Sequence, residues 1–500
     1  MDREEKYDRQ LRLWENQGQQ LLESARVLVV QPTVTSLELV KNLVLPGVGS
    51  FTLLDEPQTV QSEDLVSFYL SPDDVGSERM SSLVKNLNEL NEDVAGDFHH
   101  VEDVNVWLQT VQPTDFWNQY DLVVLNWEYP LVLEQLSKLK IPVIVTNTLG
   151  FYGILRIFKP SVEVVETHTQ GVADLRIVNP WDELLQYSDS IDLESLDVEE
   201  HAQIPYLIIQ LKAVQAWRKA HTQLPKTSQE KKGFKKMIMD WKKDYQELNF
   251  DEAVENSHMI MSSTGVPHSI QELLQQVDTR LEEENSRSLF WILVKALKAF
   301  VTRTGVLPLT GALPDMTSST GNYLALKKIY QGKADADRAL FTQKLDKILE
   351  TMHWNHAVDP QTVQTFLKNS RHLYFSQSSC QPLNYVNTKI ATEHEDSKSN
   401  LVLIGIFLVQ QYILAHNALP TLDHLDDLFS QRKSLTASHE LYDVLREILR
   451  AQGQQLNNIC SVMGGIAGQE AIKLVTNQYI PVDNTLIFDG LRSVTERWKV

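Results

Sequence analysis

The turn that follows the first strand-like run has no glycine. It reads Gln31-Pro32-Thr33-Val34-Thr35-Ser36, between the apolar run "VLVV" and a helical stripe of Val34, Leu37, Val40 and Val44. A nucleotide-binding turn at such a place uses glycines because only they let the backbone approach phosphates, and it needs free N–H groups at the helix N-terminus. Pro32 has no N–H, and Val34 puts a β-branched side chain where a pyrophosphate would lie. A phosphate cradle is excluded at this turn. Cysteine is almost as scarce: Cys380 and Cys460 are the only two, far apart, so neither a disulfide framework nor a cysteine zinc site is signalled, and a reducing compartment is expected. Basic charge is short as well, 46 Lys and Arg against 66 Asp and Glu, a net charge of -20 that repels polyanions and anionic lipid surfaces. Neither nucleic acid nor membrane is expected as a partner. Uninterrupted apolar runs are also missing: "LVLIGIFLVQQYIL" is broken by polar residues before it reaches bilayer-spanning length. The start, "MDREEKYDRQLRLW", is charged from its second residue and lacks the apolar segment of a signal peptide. These shortages together predict a soluble protein of the cytoplasm and nucleus.

What is present is core. The 500 residues are 42% apolar and 22% charged, enough for several domains. From Val27 to about His168, "VLVV", "SFTLLD", "DLVVLN" and "IPVIVTN" alternate with helical patterns, which predicts a parallel sheet with crossover helices. "GILRIF" and "VEVVETH" read as strands closing this region. Beyond Gly171, "PYLIIQLKAVQAWRKAH" and "RSLFWILVKALKAFVTR" carry apolar positions at helical spacing, while strand-like alternation is scarce. The helix "GGIAGQEAIKLVTNQ" and the strand pattern "PVDNTLIFDG" then restore the earlier mixture. The expected architecture is one α/β domain split in sequence, residues 1–168 and 454–500, with a large, mainly helical domain inserted over 169–453.

Several features have both a chemical and a simpler reading. Asp55 ends the second strand, where a working dinucleotide site would use it for a ribose hydroxyl; without its phosphate loop it reads as an aspartate that ends a strand at the sheet's edge. His353 and His356 in "HWNH" are one helical turn apart but have no evident third ligand, so a solvated helix face is expected over a metal site. The lysine run Lys231 to Lys243 reads as another solvated face, with an acidic docking partner as the alternative. Gly464, Gly465 and Gly468 open a helical pattern with no strong strand before it, which points to close helix packing or partner contact rather than phosphate binding.

"KYDRQLRLW", "LVKNLVLPGVGSFTLLD" and "MGGIAGQEAIKLVTNQ" resemble the opening and closing segments of ubiquitin-like-activating enzymes. Those enzymes adenylate the C-terminal glycine of a ubiquitin-like protein and then move it to a cysteine. Their Rossmann-like adenylation-type fold occurs as paired halves, of which one is catalytic. The departures here match the silent half. Gln31 to Ser36 stand where the resemblance implies a glycine-rich turn. "EPQTVQSEDLVSFYL" lacks the asparagine, arginine and lysine that hold triphosphate. "VVLNWEYP" offers Asn126 without the aspartate that completes a magnesium site. Neither "QSSCQPL" nor "NNICSVM" has the setting of the thioester cysteine. The segment "GALPDMTSSTGNYLALKKIYQGKADAD" is similar to one found in regulatory subunits of the enzyme that activates the neddylation modifier, the ubiquitin-like protein attached to cullins.

The resemblance implies a regulatory subunit without catalytic residues of its own. No cofactor or metal site is expected on this chain, and ATP and magnesium are expected on a catalytic partner subunit. The inserted domain resembles a catalytic-cysteine domain without the cysteine. Expected partners are the catalytic subunit, the modifier itself and, as a further expectation, its conjugating enzyme. One residue is implied to act in trans: the arginine of the Tyr-x-Arg-Gln motif, here Arg9, reaches the ATP phosphates bound by the other half. The residues alone read the same segment as an amphipathic helix with solvated arginines. Competing functions are the silent subunit of the sumoylation enzyme, an autonomous adenylating or dinucleotide-dependent enzyme, and a scaffold on a degenerate adenylation fold.

Overall fold

The computed structural model describes residues 3–169, 174–221, 223–261, 265–283, 288–354, 356–377, 398–430 and 439–499. Cys380 lies outside them. The chain divides into two compact units, Met1–Val164 with Phe375–Val500, and Val165–Tyr374.

The main sheet of the first unit has eight strands: β1 Arg26–Val30, β2 Ser50–Asp55, β3 Ala95–His100, β4 Leu122–Leu125, β5 Val143–Leu149, β6 Tyr152–Phe158, β7 Thr485–Asp489 and β8 Val494–Trp498, and the run "VEVVETH" supplies a strand, Ser161–Val164, that is not part of it. The eight lie in the order β8-β7-β6-β5-β4-β1-β2-β3. The five strands from β3 to β5 are parallel, and β6, β7 and β8 are added antiparallel. Successive side chains of a strand point to opposite faces, and here both faces are covered. Leu28, Val30, Val123 and Leu125 enter one apolar cluster, while Val27, Val29, Leu122 and Val124 enter the other. Burial on both sides is the reason these strands read as continuous apolar runs.

Six helices of this unit bear on the site: α1 Asp8–Ser24, α2 Val34–Val44, α3 Arg79–Asn88, α4 Lys398–His416, α5 His439–Arg450 and α6 Asn457–Thr476. Helices α2, α3 and α6 cover one face, with Leu37, Val40, Leu83, Met463 and Ala467 in its core. The other face is covered partly by α4 and α5, through Val402, Ile406, Leu445 and Ile448. The return to the α/β unit therefore comes at Phe375, not at residue 454 as the texture of the sequence implied. Helix α4 is apolar nearly all round and α5 is amphipathic; neither pattern names the core it faces, and only packing against the sheet separates them from the inserted helices. Helix α4 also corrects a length: it is a continuous 19 residues and apolar enough to cross a membrane by composition, but Leu401 to Ile406 lie buried in the core of this unit.

Gly464 and Gly468 lie in the middle of α6, which starts at Asn457 and so earlier than the glycines suggest, and they show why it carries small residues there. A Cβ on Gly464 would lie 2.3 Å from Glu38 Cβ and 2.9 Å from the Thr35 carbonyl, and one on Gly468 would lie 2.6 Å from Asn42 Cβ. Helices α2 and α6 are in contact there with no room for a methyl group. Gly464→Ala should cost about 1–3 kcal/mol through overpacking. Gly465→Ala, whose Cβ would meet nothing within 4 Å, should be neutral or stabilise by up to about 1 kcal/mol. Denaturant midpoints of the two variants check the contrast; equal midpoints would remove the close-packing account.

The second unit is helical, with Tyr206–Ala220, Ser228–Met239, Leu289–Thr304 and Thr320–Thr351 among its elements. Its core gathers Leu207, Ile208, Phe234, Phe250, Leu326 and Tyr330. In the segment "GALPDMTSSTGNYLALKKIYQGKADAD" the spacing of Leu326 and Tyr330 serves packing: Leu326 is fully buried, and the Tyr330 hydroxyl donates to the Leu175 carbonyl at 2.5 Å. His353 and His356 are not on a helix face, because that helix ends at Thr351 and His353 takes a left-handed φ of 52°. Both are exposed. In the lysine run, Thr227 and Glu230 cap helix Ser228–Met239, Phe234 and Ile238 point inward, and Lys231, Lys232, Lys235 and Lys236 are exposed. Lys242 and Lys243 lie beyond its end and are engaged, with Asp251 at 2.9 Å and the Leu196 carbonyl at 2.8 Å.

Candidate functional site

The parallel strand order reverses between β1 and β4, and open α/β sheets bind ligands in the crevice beyond the strand ends at such a point. A cavity of about 430 Å³ lies there, lined among others by Gln31, Thr33, Val34, Arg79, Asn126 and Gln455. Its polar side chains are largely committed to one another. Gln31 Oε1 accepts from the Tyr129 hydroxyl at 2.8 Å and from Asn126 Nδ2 at 3.3 Å. Asn126, the single survivor of the metal-binding pattern, thus serves as a hydrogen-bond partner of the degenerate turn.

The start of α2 is closed in the same way. Thr33 and Ser36 form a reciprocal capping box, with Ser36 N donating to Thr33 Oγ1 at 3.2 Å and Thr33 N to Ser36 Oγ at 2.8 Å. The Val34 amide donates to Gln455 Oε1 at 2.8 Å, and Gln455 Nε2 donates in turn to Asn147 Oδ1 at 3.0 Å. Three of the N–H groups that an anion would meet at this helix N-terminus, those of Thr33, Val34 and Ser36, are thus taken by side chains of the chain itself. A triphosphate would have to displace these contacts to use the turn.

Asp55 is also occupied. It ends β2, which is flanked by β1 and β3 and so is not an edge strand, and its carboxylate faces Arg79 Nη1 at 3.6 Å. Burial pushes the Asp55 carboxyl above the usual carboxylate range, and the Arg79 charge offsets part of that rise. Arg79 Nη2 also donates to the Pro32 carbonyl at 3.3 Å, and its Nε lies 3.4 Å from Asp64. One guanidinium on α3 therefore ties the glycine-free turn to the aspartate that would otherwise meet a ribose. Arg79, Tyr129 and Gln455 carried no signal in the sequence, since Gln455 is more than 400 residues from the turn it caps.

A sequence model described as the ThiF family matches residues 7–500. The chain belongs to the ThiF family. It is similar along its whole length to proteins described as NEDD8-activating enzyme E1 regulatory subunits. The one from Gallus gallus is 31% identical, over 100% of this chain and 98% of the relative. The one from Drosophila melanogaster is 33% identical, over 98% and 96%. The AXR1 protein of Arabidopsis thaliana, described in the same words, is 32% identical, over 97% and 94%. A ThiF-family chain with a sealed nucleotide turn is, in its own cleft, a non-catalytic one.

Cys460, on α6, is fully buried with Sγ 3.3 Å from Thr148 Oγ1, and burial pushes its thiol pKa up. The thiolate is the nucleophile, so this environment disfavours thioester chemistry. Cys460→Ala should leave modifier charging of the assembled enzyme intact and cost about 1–3 kcal/mol of stability. A reductant-sensitive conjugate of modifier on this chain, seen on a non-reducing gel, would refute the inert role.

Arg9 stands on the first turn of α1. It is exposed and has no side-chain hydrogen bond or ion pair among the described residues. Its neighbours are paired: Arg12 with Asp8 at 2.9 Å, Arg3 with Glu23 at 2.7 Å and Lys6 with Asp93 at 2.6 Å.

Proposed function

We propose that this chain works as the regulatory half of a heterodimeric NEDD8-activating E1. In this reading it assembles with a catalytic subunit that binds ATP and magnesium, adenylates the modifier and carries the thioester. The modifier's conjugating enzyme would be met by the assembled enzyme. The observation that carries the proposal is the sealed turn: a ThiF-family sheet, similar over its full length to regulatory subunits, where Gln455 caps the Val34 amide of α2, Thr33 caps that of Ser36, and Ser36 accepts from the Thr33 amide. Such a chain contributes to adenylation from outside its own cleft, and Arg9 is the residue proposed to do so, reaching the partner's ATP phosphates. A guanidinium suits that role because it is always charged and makes paired hydrogen bonds to phosphate oxygens.

The test is ATP–pyrophosphate exchange by the purified chain, alone and with a catalytic subunit. No exchange alone and modifier-dependent exchange in the mixture are expected. Exchange by the isolated chain would overturn the proposal, and exchange in neither state would favour a scaffold role. Paired folds that associate obligately commonly bury more than about 2,000 Å², so the two chains should also co-elute.

A further inference from the structure

The segment that presents Arg9 is held at both ends. Before it, Tyr7 is 3% exposed, and its hydroxyl accepts from Asn91 Nδ2 at 3.1 Å and faces Asp93 at 3.3 Å. The ring lies over the turn that follows α2, so close that a Cβ on Gly47 would be 2.6 Å from the Tyr7 hydroxyl. After it, α1 is interrupted: Trp14 and Glu15 leave helical geometry, and Glu15 has φ 55° and ψ -176°. That combination is a region which residues other than glycine rarely enter, and it persists only where surrounding contacts hold it.

Those contacts come from the end of α6. An interrupted helix leaves carbonyls without partners at the break. The Leu13 carbonyl accepts from the Tyr479 hydroxyl at 2.7 Å, and the Trp14 carbonyl accepts from Gln478 Nε2 at 3.1 Å. Tyr479 itself has φ 58°, two residues after Asn477 closes α6 at φ 51°, so the reach toward Leu13 is made from an uncommon backbone state. The Trp14 indole N–H donates to Gln19 Oε1 at 2.9 Å, and Gln19 Nε2 donates to the Pro46 carbonyl at 2.9 Å. Both anchors thus meet the Pro46-Gly47 turn, and the turn of helix between them carries the uncommitted Arg9.

We infer that Gln478 and Tyr479 are positioning residues for Arg9, clamping the Leu13 and Trp14 carbonyls so that the guanidinium is presented to the partner's nucleotide in one place. The inference rests on the trans role proposed for Arg9. Strain at Glu15 and Tyr479 is consistent with it: a free helix would run straight through Trp14, and the clamp bends it instead.

The experiment is a double-mutant cycle in the assembled heterodimer, with Tyr479→Phe and Arg9→Ala read by ATP–pyrophosphate exchange. Tyr479→Phe removes one hydroxyl at a partly exposed position and keeps the ring. It should lower kcat/KM for ATP about 2- to 10-fold, the size of one net hydrogen bond, mainly through KM. In the Arg9→Ala background the same change should have no further effect. It should also speed amide exchange across residues 8–14. An equal loss in both backgrounds, or no loss while Arg9→Ala has one, overturns the positioning role and leaves the Arg9 role standing. No effect of Arg9→Ala overturns the trans role, and the inference with it. Gln478→Leu, which removes the second clamp without reducing side-chain volume much, should reproduce the Tyr479→Phe pattern; an additive effect independent of Arg9 again counts against it.

Discussion

Replacing Arg9 by alanine in the assembled heterodimer should leave assembly intact and lower kcat/KM for ATP in pyrophosphate exchange by about 10²-fold. The figure is set below the roughly 10³–10⁵ that arginine fingers contribute in phosphoryl transfer, because attack here is at the α-phosphate. Nothing within the first unit depends on this side chain: Arg9 is exposed and unpaired among the described residues, so its removal breaks no bond of the fold. Arg12→Ala, which costs only an exposed pair with Asp8, should change the rate less than about twofold. Arg9→Lys should recover part of the loss, since it restores the charge but not the paired donors. Normal exchange by the Arg9→Ala enzyme at sub-saturating ATP would return Arg9 to a solvated helix residue.

A second large effect is expected from Glu128→Gln. Glu128, just after β4, pairs with Arg156 on β6, and the two side chains are only 2% and 1% exposed. Arg156 Nε also donates to Thr485 Oγ1 of β7 at 3.0 Å, and its guanidinium lies 4.8 Å from the Phe158 ring centroid. Removing the carboxylate leaves a buried guanidinium without its counter-ion, which costs about 3–5 kcal/mol. The loss should appear as a lower denaturant midpoint of this chain in the purified heterodimer. Glu134→Gln, which breaks the exposed pair with Lys138, is the control and should leave the midpoint unchanged. Equal midpoints for both variants would mean that water reaches Arg156 and replaces the lost partner.

Legibility in the sequence followed the range of the interactions. Strands β1 and β4 and the first half of β5, Val143 to Val145, are apolar on both faces because both faces are covered, and that condition is written locally as unbroken apolar runs. The failed phosphate turn was equally local, since Pro32 and Val34 forbid it by their own covalent structure. Helices α4 and α5 read as part of the inserted domain because neither an all-round apolar helix nor an amphipathic one records which core it faces. The spacing of His353 and His356 suggests a helix face, but the helix ends at Thr351, a boundary set by Met352 and the left-handed His353 rather than by periodicity.

By itself, then, the sequence determined the alternation of strands and helices, the absence of a phosphate cradle and, through its resemblance, the candidate Arg9. Each follows from the chemistry of neighbouring residues. Only the tertiary structure decided that Gln455 caps the Val34 amide, that Arg79 holds Asp55 to the Pro32 turn, and that Tyr479 and Gln478 grip the carbonyls of Leu13 and Trp14. The physical reason is that a hydrogen bond or ion pair depends on distance in space, and no local pattern records which groups tens to hundreds of residues apart folding will bring within 4 Å.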